Sequence, residues 1–466
     1  MNIAMILEMA ADGLGGRVAF GPRDGGVTYA GLRDAATGVA AHLAAAPRTV
    51  ALLSETAPLV SVALFGAAWA GVSYAPLNYR LPDEARRSLL DRLAPAVVAE
   101  PAWVDLPADA GRAFADEPLT PAVLLFTSGT SAAPKVAQLA HDQLTAYVFN
   151  TVEFAAAEDH EAVLVSVPPF HIAGVAAVLS STYAGRRVMP LPRFDPHDWL
   201  ALARREAVTH AFVVPTMLAR IVAVMAEDAN ARVPTLRHLA YGGSRMPAPV
   251  LEQALALFPD TEFVNAYGLT ETSSTVCLLG PDDHRRAHAS DDPAERARLA
   301  SVGRPVPGVE VRVVDGEIWV RGDQVAGDYL DTESQRDADG WLHTGDRGSV
   351  DADGYVYVEG RGDDVIIRGG ENVSPAEVED TLLRHPAVAG AAVVGVPDPE
   401  WGERIGAMVV LRAGAALDEY ELRTFVRERV GSLKTPELVV VRDELPHTPT
   451  GKVLRRAVRA DLAGDA

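Results

Sequence analysis

Apolar, β-branched runs alternate with helical patterns through the first half of the chain. The run "TVALLS" precedes "LVSVALFGAAWAG", "HAFVV" precedes "PTMLARIVAVMAE", and "HLAYGG" precedes "MPAPVLEQALALF". Strands that alternate with helices of this length predict βαβ units and mainly parallel sheets. The most apolar window, residues 60–77, contains Gly66, Gly71 and Pro76, so we interpret it as a buried helix followed by a strand and not as a membrane span.

The pattern changes near Val309. Residues 309–322 and 348–360 alternate apolar and polar side chains around Asp-Gly turns, which is typical of antiparallel hairpins. The polar segment 281–300 is interpreted as a surface excursion. After "GRGDD" (360–364), the order helix, two strands, helix and basic tail predicts a separate α+β domain of about 100 residues.

Length and composition indicate an ordinary globular protein with at least two domains. The chain has 466 residues, of which 48% are hydrophobic and 23% are charged. The net charge of −21 argues against nucleic acid or an anionic membrane surface as partners, because both require a basic face. A small anionic ligand remains compatible with this charge, since it needs only a local pocket.

The cysteine count and the N-terminus bear on the cellular compartment. Cys277 is the single cysteine, so no intramolecular disulfide can form, and a reducing compartment fits. The first 16 residues lack a basic start and carry only a short apolar run, which makes a poor signal peptide. We therefore expect a cytoplasmic location.

The segment "LLFTSGTSAAPKVAQLAH" (124–141) places several small hydroxyl residues at the end of a predicted strand. Backbone N–H groups, the hydroxyls and Lys135 could together form a cradle for phosphate oxygens. The spacing is not that of a Walker A motif, because no second glycine precedes the lysine. On these residues alone, a polar turn between a strand and a helix is an equally good interpretation.

Further segments carry side chains suited to nucleotide chemistry. In "NAYGLTETSS" (265–274), Tyr267 could stack on a base and Glu271 could hold Mg²⁺. Asp346 in "WLHTGDRG" offers the carboxylate that commonly binds ribose hydroxyls. Three more candidates follow towards the C-terminus: Arg361, the Gly369-Gly370 pair and Lys452. Taken singly, each of these residues is interpreted as part of a turn or as a surface charge.

Together and in this order, the segments resemble the adenylate-forming superfamily, which includes acyl- and aryl-CoA synthetases, firefly luciferase and peptide-synthetase adenylation domains. The resemblance runs from "VTYAGLRDAATGVAAHL" (27–43) to Lys452. "VPPFHIAG" (167–174), "GGENVSPAEVE" (369–379) and "VGVPDPEWGE" (394–403) look like motifs of the acid–CoA ligase branch. The chain departs from the family's loop, because glycines are missing at Ala133 and Val136 and the preceding pair is Ser131-Ala132. The missing glycines restrict the backbone of that loop.

The resemblance implies an α/β fold. It implies a large N-terminal domain of stacked βα sheets with a small barrel-like β subdomain, and a small mobile α+β C-terminal domain. The implied boundaries are 1–362 for the adenylation domain, which holds the ATP and acyl pockets, and 363–466 for the mobile domain that carries Lys452. Asp363 is similar in position to the family's hinge residue.

The chemistry that the resemblance implies has two half-reactions. A substrate carboxylate attacks the α-phosphorus of ATP to give an acyl-adenylate and pyrophosphate, and the thiol of coenzyme A then displaces AMP. The implied catalytic residues are Lys452, Glu271 as the Mg²⁺ ligand, Thr270 and His171. The implied ATP- and AMP-binding residues are Thr127, Ser128, Gly129, Thr130, Lys135, Gly243, Ser244, Ala266, Tyr267, Gly268, Thr270, Asp346, Val358, Arg361 and Lys452.

The resemblance also implies where the acid and coenzyme A bind. The implied acyl pocket comprises His171, Phe212, Gly242, Ala266, Gly268 and Ser273. These walls are small or apolar and favour a hydrophobic or aromatic acid, although Arg245, close by in sequence, would favour an anionic group. The coenzyme A set is Gly369, Gly370 and Trp401. A core role remains the alternative for both Trp401 and His171.

Other functions remain open at this point. The same fold could transfer the acyl group to a carrier-protein thiol, an amine or oxygen instead of coenzyme A. A non-catalytic nucleotide-binding relative is disfavoured, because Lys452, Glu271 and Asp346 are all retained. The expected partners are a small carboxylic acid, ATP, Mg²⁺ and coenzyme A, with a homodimer or a carrier protein as further partners, and no nucleic acid or membrane span.

Overall fold

The structure is a computed structural model that carries side chains. It describes residues 1–43, 48–55, 57–127, 134–228, 231–330, 332–369, 371–399, 401–448 and 451–464, without the side chains at 57, 363 and 372. The predicted phosphate-loop residues Ser128, Gly129 and Thr130, their neighbours 131–133, and Gly370 of the predicted coenzyme A set lie outside the described residues.

The first part of the chain alternates strands and helices. Its elements are α1 (Ala4–Leu14), β1 (Val18–Phe20), β2 (Val27–Thr28), α2 (Tyr29–His42), β3 (Thr49–Leu52), α3 (Ala57–Ala70), β4 (Ser73–Pro76), α4 (Asp83–Arg92), β5 (Ala96–Val98), β6 (Val123–Thr127), β7 (Lys135–Leu139), α5 (His141–Thr151), β8 (Ala162–Val165), α6 (Ile172–Ala184), β9 (Arg187–Pro190), α7 (Pro196–Arg205), β10 (His210–Val213), α8 (Pro215–Glu227), β11 (His238–Gly242), α9 (Ala248–Leu257) and β12 (Glu262–Leu269).

The second part is richer in strands. Its elements are β13 (Ser274–Leu279), α10 (Pro281–Ala289), α11 (Pro293–Arg296), β14 (Arg304–Pro305), β15 (Val309–Val314), β16 (Glu317–Gly322), β17 (Asp328–Tyr329), β18 (Leu342–Val350), β19 (Val356–Arg361), β20 (Ile366–Arg368), β21 (Glu371–Val373), α12 (Pro375–Leu383), β22 (Val388–Asp398), β23 (Gly402–Leu411), α13 (Glu419–Val430), β24 (Leu438–Val441) and α14 (Arg455–Gly464). Short 3₁₀ turns occupy Pro101–Asp105, Thr270–Thr272, Ala297–Ala300 and Gly362–Asp364.

A nine-stranded sheet carries most of the candidate site. Its strand order is β14-β13-β12-β11-β10-β8-β9-β1-β2, and β8 to β12 run parallel. The helices α6, α7, α8 and α9 make the crossovers between successive parallel strands, which confirms the predicted βαβ units. Because parallel strands end at the same edge of a sheet, the turns after β10, β11 and β12 lie side by side.

A six-stranded sheet forms the other half of the large domain. Its order is β17-β7-β6-β4-β3-β5, with β3, β4, β5 and β6 parallel and β7 antiparallel to β6. Within the apolar window, α3 and β4 are buried, as predicted for a core helix followed by a strand. Among the described residues, no helix combines the length and the apolar character needed to cross a membrane.

Two smaller sheets complete the fold. The predicted hairpins form an antiparallel sheet of order β15-β16-β18-β19, and the C-terminal residues form a sheet of β20 to β24 packed with α12, α13 and α14. The α/β class, with a large N-terminal part and a smaller C-terminal part, is confirmed.

Two sequence interpretations need correction. The alternative interpretation of the segment after β6, a polar turn between a strand and a helix, is wrong, because Lys135 begins the strand β7, which pairs antiparallel with β6 so that Thr127 faces Lys135. The polar segment 281–300 is not only a surface excursion, because His284 is fully buried and its Nε2 lies 2.8 Å from the Tyr241 hydroxyl.

The C-terminal part contacts the large domain through side chains of both. The Arg245 guanidinium, in the turn after β11, forms a two-pronged ion pair with Asp380 on α12. Arg384 pairs with Glu252 on α9 at 3.3 Å. These contacts hold α12 against the region where β11 ends.

Candidate active site

Close backbone approach requires the glycines at the end of β11 and in β12. Gly242 lies opposite Ala266 in the register of β11 and β12. A Cβ on Gly242 would overlap the Ala266 carbonyl oxygen, and one on Gly268 would overlap the Ser274 carbonyl oxygen. This tight spacing explains both glycines without any ligand, whereas their predicted contact with an acyl group stays a prediction.

Tyr267, Asp346 and Arg361 form one connected cluster. The Tyr267 hydroxyl donates to Asp346 Oδ2 at 2.7 Å, and Arg361 Nε lies 3.0 Å from Asp346 Oδ1. Asp346 is 6% exposed, and this burial raises the pKa of its carboxyl, although Arg361 and Tyr267 oppose the shift. Val358, on the neighbouring strand β19, packs with Tyr267 in the same apolar cluster. The structure therefore brings together four residues of the predicted nucleotide set.

Glu271 and Lys135 both contact Tyr329, a residue that the sequence did not indicate as part of the site. The Tyr329 hydroxyl donates to Glu271 Oε1, and the Lys135 ammonium lies 5.1 Å from the centre of the Tyr329 ring. Burial, followed by the Glu271 carboxylate, raises the pKa of Tyr329 above its ordinary value. No sequence motif singled out this tyrosine, because only the folded sheets bring it to the site.

Lys452 lies in the cleft at the end of the nine-stranded sheet. The preceding Gly451 has a φ of +80° and packs against Val214 and Thr216, where β10 passes into α8. Lys452 retains solvent access but is crowded by protein. The crowding and then Arg361 lower its pKa, whereas the carboxylates of Asp346 and Glu271 oppose the shift. The structure thus places Lys452 where it interacts electrostatically with three other predicted site residues.

His171 borders the same cleft. It precedes α6 and its Nε2 is buried with no hydrogen-bond partner among the described residues. Burial and then the nearby Lys452 lower the pKa of His171 to about 4, so the imidazole is neutral near pH 7. The ring contacts Phe170, with centroids 5.2 Å apart.

The remaining predicted acyl-wall residues have mixed settings. Phe212 is half-buried on β10 and packs on the main core. Ser273 is fully buried with a φ of +54°, and the described residues provide no partner for its Oγ. A small apolar crevice lies beside the segment that precedes His171, but none of the six predicted wall residues lines it.

Four further residues considered from the sequence have simpler placements. Thr270 begins the 3₁₀ turn that carries Glu271 and is half-buried, and Gly243 and Ser244 form the exposed turn after β11. Arg245, the cation considered for the acyl pocket, forms the ion pair with Asp380 described above, so its charge is already paired.

The residues predicted for coenzyme A lie on the C-terminal sheet. The Gly369 N–H donates to the Trp401 carbonyl at 2.8 Å, and a Cβ on Gly369 would press on the indole ring. Trp401 is 43% exposed, which argues against the core role considered for it. Asp363, the predicted hinge, lies in the 3₁₀ turn between β19 and β20.

Comparisons with known proteins identify the family of this chain. Residues 7–330 match the family model described as "AMP-binding enzyme", and residues 377–452 match "AMP-binding enzyme C-terminal domain". The chain is 34% identical to a fatty acid–[acyl-carrier-protein] ligase of Streptomyces coeruleorubidus, ScoC, over 92% of this chain and 89% of that protein. It is 36% identical to a feruloyl-CoA synthase of Amycolatopsis sp, with 88% of each chain covered.

A solved structure of a similar enzyme has the same fold. The o-succinylbenzoate CoA synthetase MenE of Bacillus subtilis, in complex with its acyl-adenylate intermediate, superposes with a TM-score of 0.83. The two chains are 29% identical, and 97% of each is covered. The similarity therefore extends over both the large and the small part of the molecule.

Proposed function

This chain belongs to the AMP-binding enzyme family, and we propose that it is an AMP-forming ligase that joins a carboxylic acid to coenzyme A through an acyl-adenylate. The observation that supports this most strongly is that the turn carrying Lys452 packs against Val214 and Thr216, at the edge of the sheet where β12 carries Tyr267, which is hydrogen-bonded to Asp346. Relatives named as CoA synthetases also support it.

Lys452 supplies the positive charge for the first half-reaction. The substrate carboxylate and the α-phosphate are both anionic, and the oxygens of the transition state carry more charge than those of the ground state. An ammonium between them offsets the repulsion, and its compact charge suits two acceptors better than a planar guanidinium. Lysine is rare here: the chain has three lysines and 39 arginines, which together account for its 42 cations.

Glu271 fits the role of Mg²⁺ ligand. Tyr329 engages one carboxylate oxygen, and the other has no hydrogen-bond partner among the described residues. Nucleotide-bound Mg²⁺ commonly uses one or two protein carboxylates together with phosphate oxygens and water. When bound, Mg²⁺ supplies charge neutralisation to the triphosphate, and Lys135 adds a second cation beside it.

The proposal also assigns residues to nucleotide binding and to a movement of the small domain. Asp346 and Arg361 hold the ribose, while Tyr267 and the turn after β11 flank the adenine. We assign residues 1–362 to the adenylation domain and 363–466 to a mobile domain that turns about Asp363. That turn withdraws Lys452 and presents Gly369 and Trp401 to the pantetheine arm of coenzyme A. The buried thiol of Cys277 is compatible with a cytoplasmic location.

The proposed substrate is a hydrophobic or aromatic acid. The predicted walls contribute a neutral imidazole at His171 and an aromatic ring at Phe212. The cation that would favour a second carboxylate, Arg245, is paired with Asp380.

A carrier-protein thiol is the second candidate acceptor. It is favoured by the similarity to ScoC, which is named as a ligase of fatty acid to acyl-carrier protein. Both candidates share the adenylation step, so they differ only in what discharges the adenylate.

The proposal is tested by measuring pyrophosphate release over a panel of carboxylic acids. Release with at least one acid, followed by AMP release and thioester formation only when coenzyme A is added, is the expected result. Discharge by a phosphopantetheinylated carrier protein but not by coenzyme A would favour the second acceptor. No pyrophosphate release with any acid in a broad panel would contradict the adenylation function.

The rate of adenylation is expected to fall at alkaline pH as Lys452 loses its proton. Because crowding and Arg361 lower its pKa, the fall should come below the ordinary lysine value of about 10.4. The measurement is kcat/KM for pyrophosphate release across this range. Lys452→Arg is the control, since a guanidinium stays protonated there. The variant should be slower but lose the alkaline decline; a decline identical in both proteins would exclude Lys452 as its source.

The ion pair between Arg245 and Asp380 is expected to favour the adenylation arrangement of the two domains. Both side chains are partly exposed, so the pair is worth about 0.2–1 kcal/mol, a change of about 1.4- to fivefold. Arg245→Ala should slow adenylation by that factor without slowing thiolation of a supplied adenylate. Arg285→Ala, which breaks ion pairs inside the large domain, is the control. Equal slowing of both half-reactions by Arg245→Ala would contradict the expectation.

A further inference from the structure

Tyr329 touches both charged groups that serve the triphosphate. Its hydroxyl donates to Glu271 Oε1, and its ring lies under the Lys135 ammonium at 5.1 Å. The side chain is nearly enclosed, since Tyr329 is 7% exposed. The amide oxygen of Gln335 is a second polar neighbour of the hydroxyl, at 3.3 Å. With only one proton to donate, the phenol favours the charged carboxylate, because a hydrogen bond to an ionised acceptor is the stronger one.

The two groups that Tyr329 touches belong to different sheets. Glu271 follows β12 of the nine-stranded sheet, whereas Lys135 begins β7 of the six-stranded sheet. Tyr329 lies on β17, which pairs antiparallel with β7 so that Tyr329 faces Ala137. The strand is also anchored beyond Tyr329, where the Leu330 N–H donates to the Val136 carbonyl at 2.9 Å.

The backbone next to Tyr329 secures Glu271 a second time. The N–H groups of Ala326 and Gly327 both donate to the Glu271 carbonyl oxygen, at 2.8 and 3.2 Å. The segment 326–329 therefore binds Glu271 at its carbonyl by main chain and at its carboxylate by the Tyr329 hydroxyl. With the backbone of the turn held, the hydroxyl selects how the carboxylate faces the cleft.

We propose that Tyr329 is a positioning residue that orients Glu271 to hold Mg²⁺ and steadies Lys135 beside the phosphates of ATP. This inference rests on the proposed function. A neutral phenol suits the task, because it donates to one carboxylate oxygen without competing for the metal and leaves the other oxygen for it. The ring face adds an attraction for the ammonium through its negative charge distribution.

The two contacts predict separable losses. Removing a hydrogen bond that orients a metal-ligating carboxylate typically costs 10–100-fold in metal affinity. Removing the aromatic face beneath an accessible cation costs about two- to fivefold. Tyr329→Phe removes only the first contact and keeps the side chain's shape, whereas Tyr329→Leu removes both.

Tyr355 offers a matched control elsewhere in the large domain. Its hydroxyl donates to Asp283 Oδ1 at 2.7 Å, and Arg298 and Arg304 lie over its ring at 4.7 and 4.4 Å. Tyr355→Phe therefore removes the same kind of hydroxyl–carboxylate bond from a ring that also carries cations. It lies outside the cluster of Asp346, Glu271 and Lys452.

The experiment uses the 466-residue chain and the non-reacting analogue α,β-methylene-ATP. Titration calorimetry in EDTA measures the metal-free affinity for the analogue. The electron paramagnetic resonance signal of free Mn²⁺, used in place of Mg²⁺, measures metal binding in the complex. Tyr329→Phe should weaken Mn²⁺ binding about 10–100-fold and leave the metal-free affinity within about twofold of wild type. Tyr329→Leu should also weaken the metal-free affinity by about two- to fivefold.

Any other result contradicts either the positioning role of Tyr329 or the proposed function on which it rests. Wild-type Mn²⁺ binding in Tyr329→Phe, or equal losses with and without metal, would overturn the positioning role. A loss of the same size in Tyr355→Phe would show a general effect of removing a buried hydroxyl, which also overturns it. If Tyr329→Leu does not fold, the nearly isosteric Tyr329→Phe carries the test alone. If the wild-type chain does not bind the analogue at all, the proposed function fails.

Discussion

Replacing Lys452 with alanine is expected to slow adenylate formation by about 10²–10³-fold, the usual cost of losing one charge-stabilising donor in a transition state. Thiolation of a supplied acyl-adenylate should continue at the wild-type rate, because the phosphoryl bond has already been broken in that substrate. The measurement is pyrophosphate release for the first half-reaction and AMP release from the added adenylate for the second. Wild-type pyrophosphate release in the variant would show that Lys452 is not the catalytic cation.

Lys434 provides the matched control for this loss. It is the other lysine of the C-terminal domain, and its ammonium bonds both carboxylate oxygens of Glu377 at 2.8 and 2.6 Å. Lys434→Ala removes the same charge from the same domain but away from the Asp346 and Glu271 carboxylates. It should leave both half-reactions near their wild-type rates. Equal effects of the two substitutions would indicate a loss of domain stability in place of a loss of catalysis.

The overall architecture could be predicted from the sequence because its signals are local. Runs such as "HAFVV" followed by "PTMLARIVAVMAE" encode one strand and one helix each, and both formed as β10 and α8. The Asp-Gly turns near Asp315 and Asp353 also specify their hairpins locally, and the alternating residues around them became the strands of the small antiparallel sheet. Long-range pairing was not needed to recognise these elements.

The strand β7 was missed because its stability comes from its neighbours. Five residues from Lys135 to Leu139 are too few to separate a strand from the start of a helix by periodicity. They become a strand because β6 and β17 pair with them on either side, and β17 lies almost 200 residues later in the chain. Tyr329 was missed for the same reason, since its contacts with Glu271 and Lys135 exist only once β17 has joined that sheet.

The contacts that individual residues make were the least predictable part of the structure. Gly242 suggested room for a substrate, but the structure accounts for it by the approach of the Ala266 carbonyl. Arg245 suggested a cation near the acyl pocket, but it pairs with Asp380 of the other domain. His284, within a strongly polar segment, is buried beneath Tyr241. In each case the deciding contact comes from another element of the fold, and the adjacent sequence carries no signal of it.

Substitution of Asp363 with proline is expected to have the opposite effect to Lys452→Ala. Asp363 lies in the 3₁₀ turn Gly362–Asp364, where φ is typically between −50° and −70°. Proline fixes φ near −65°, so it is compatible with the arrangement in which Lys452 faces the cleft. Adenylate formation should therefore continue in the variant.

Thiolation should fail in Asp363→Pro if the small domain turns about this residue. A conformation that proline cannot adopt costs roughly 3 kcal/mol or more, which corresponds to a rate loss of about a hundredfold or more.

Asp363→Ala is the control, because it removes the same carboxylate but leaves φ free. It should support both half-reactions, so that a defect seen only with proline reports the backbone and not the side chain. Rapid formation of a bound adenylate that coenzyme A does not discharge is the expected outcome for proline. Equal loss of both half-reactions, or normal discharge, would place the hinge elsewhere, since a turn that pivots at Asp363 cannot keep its φ fixed.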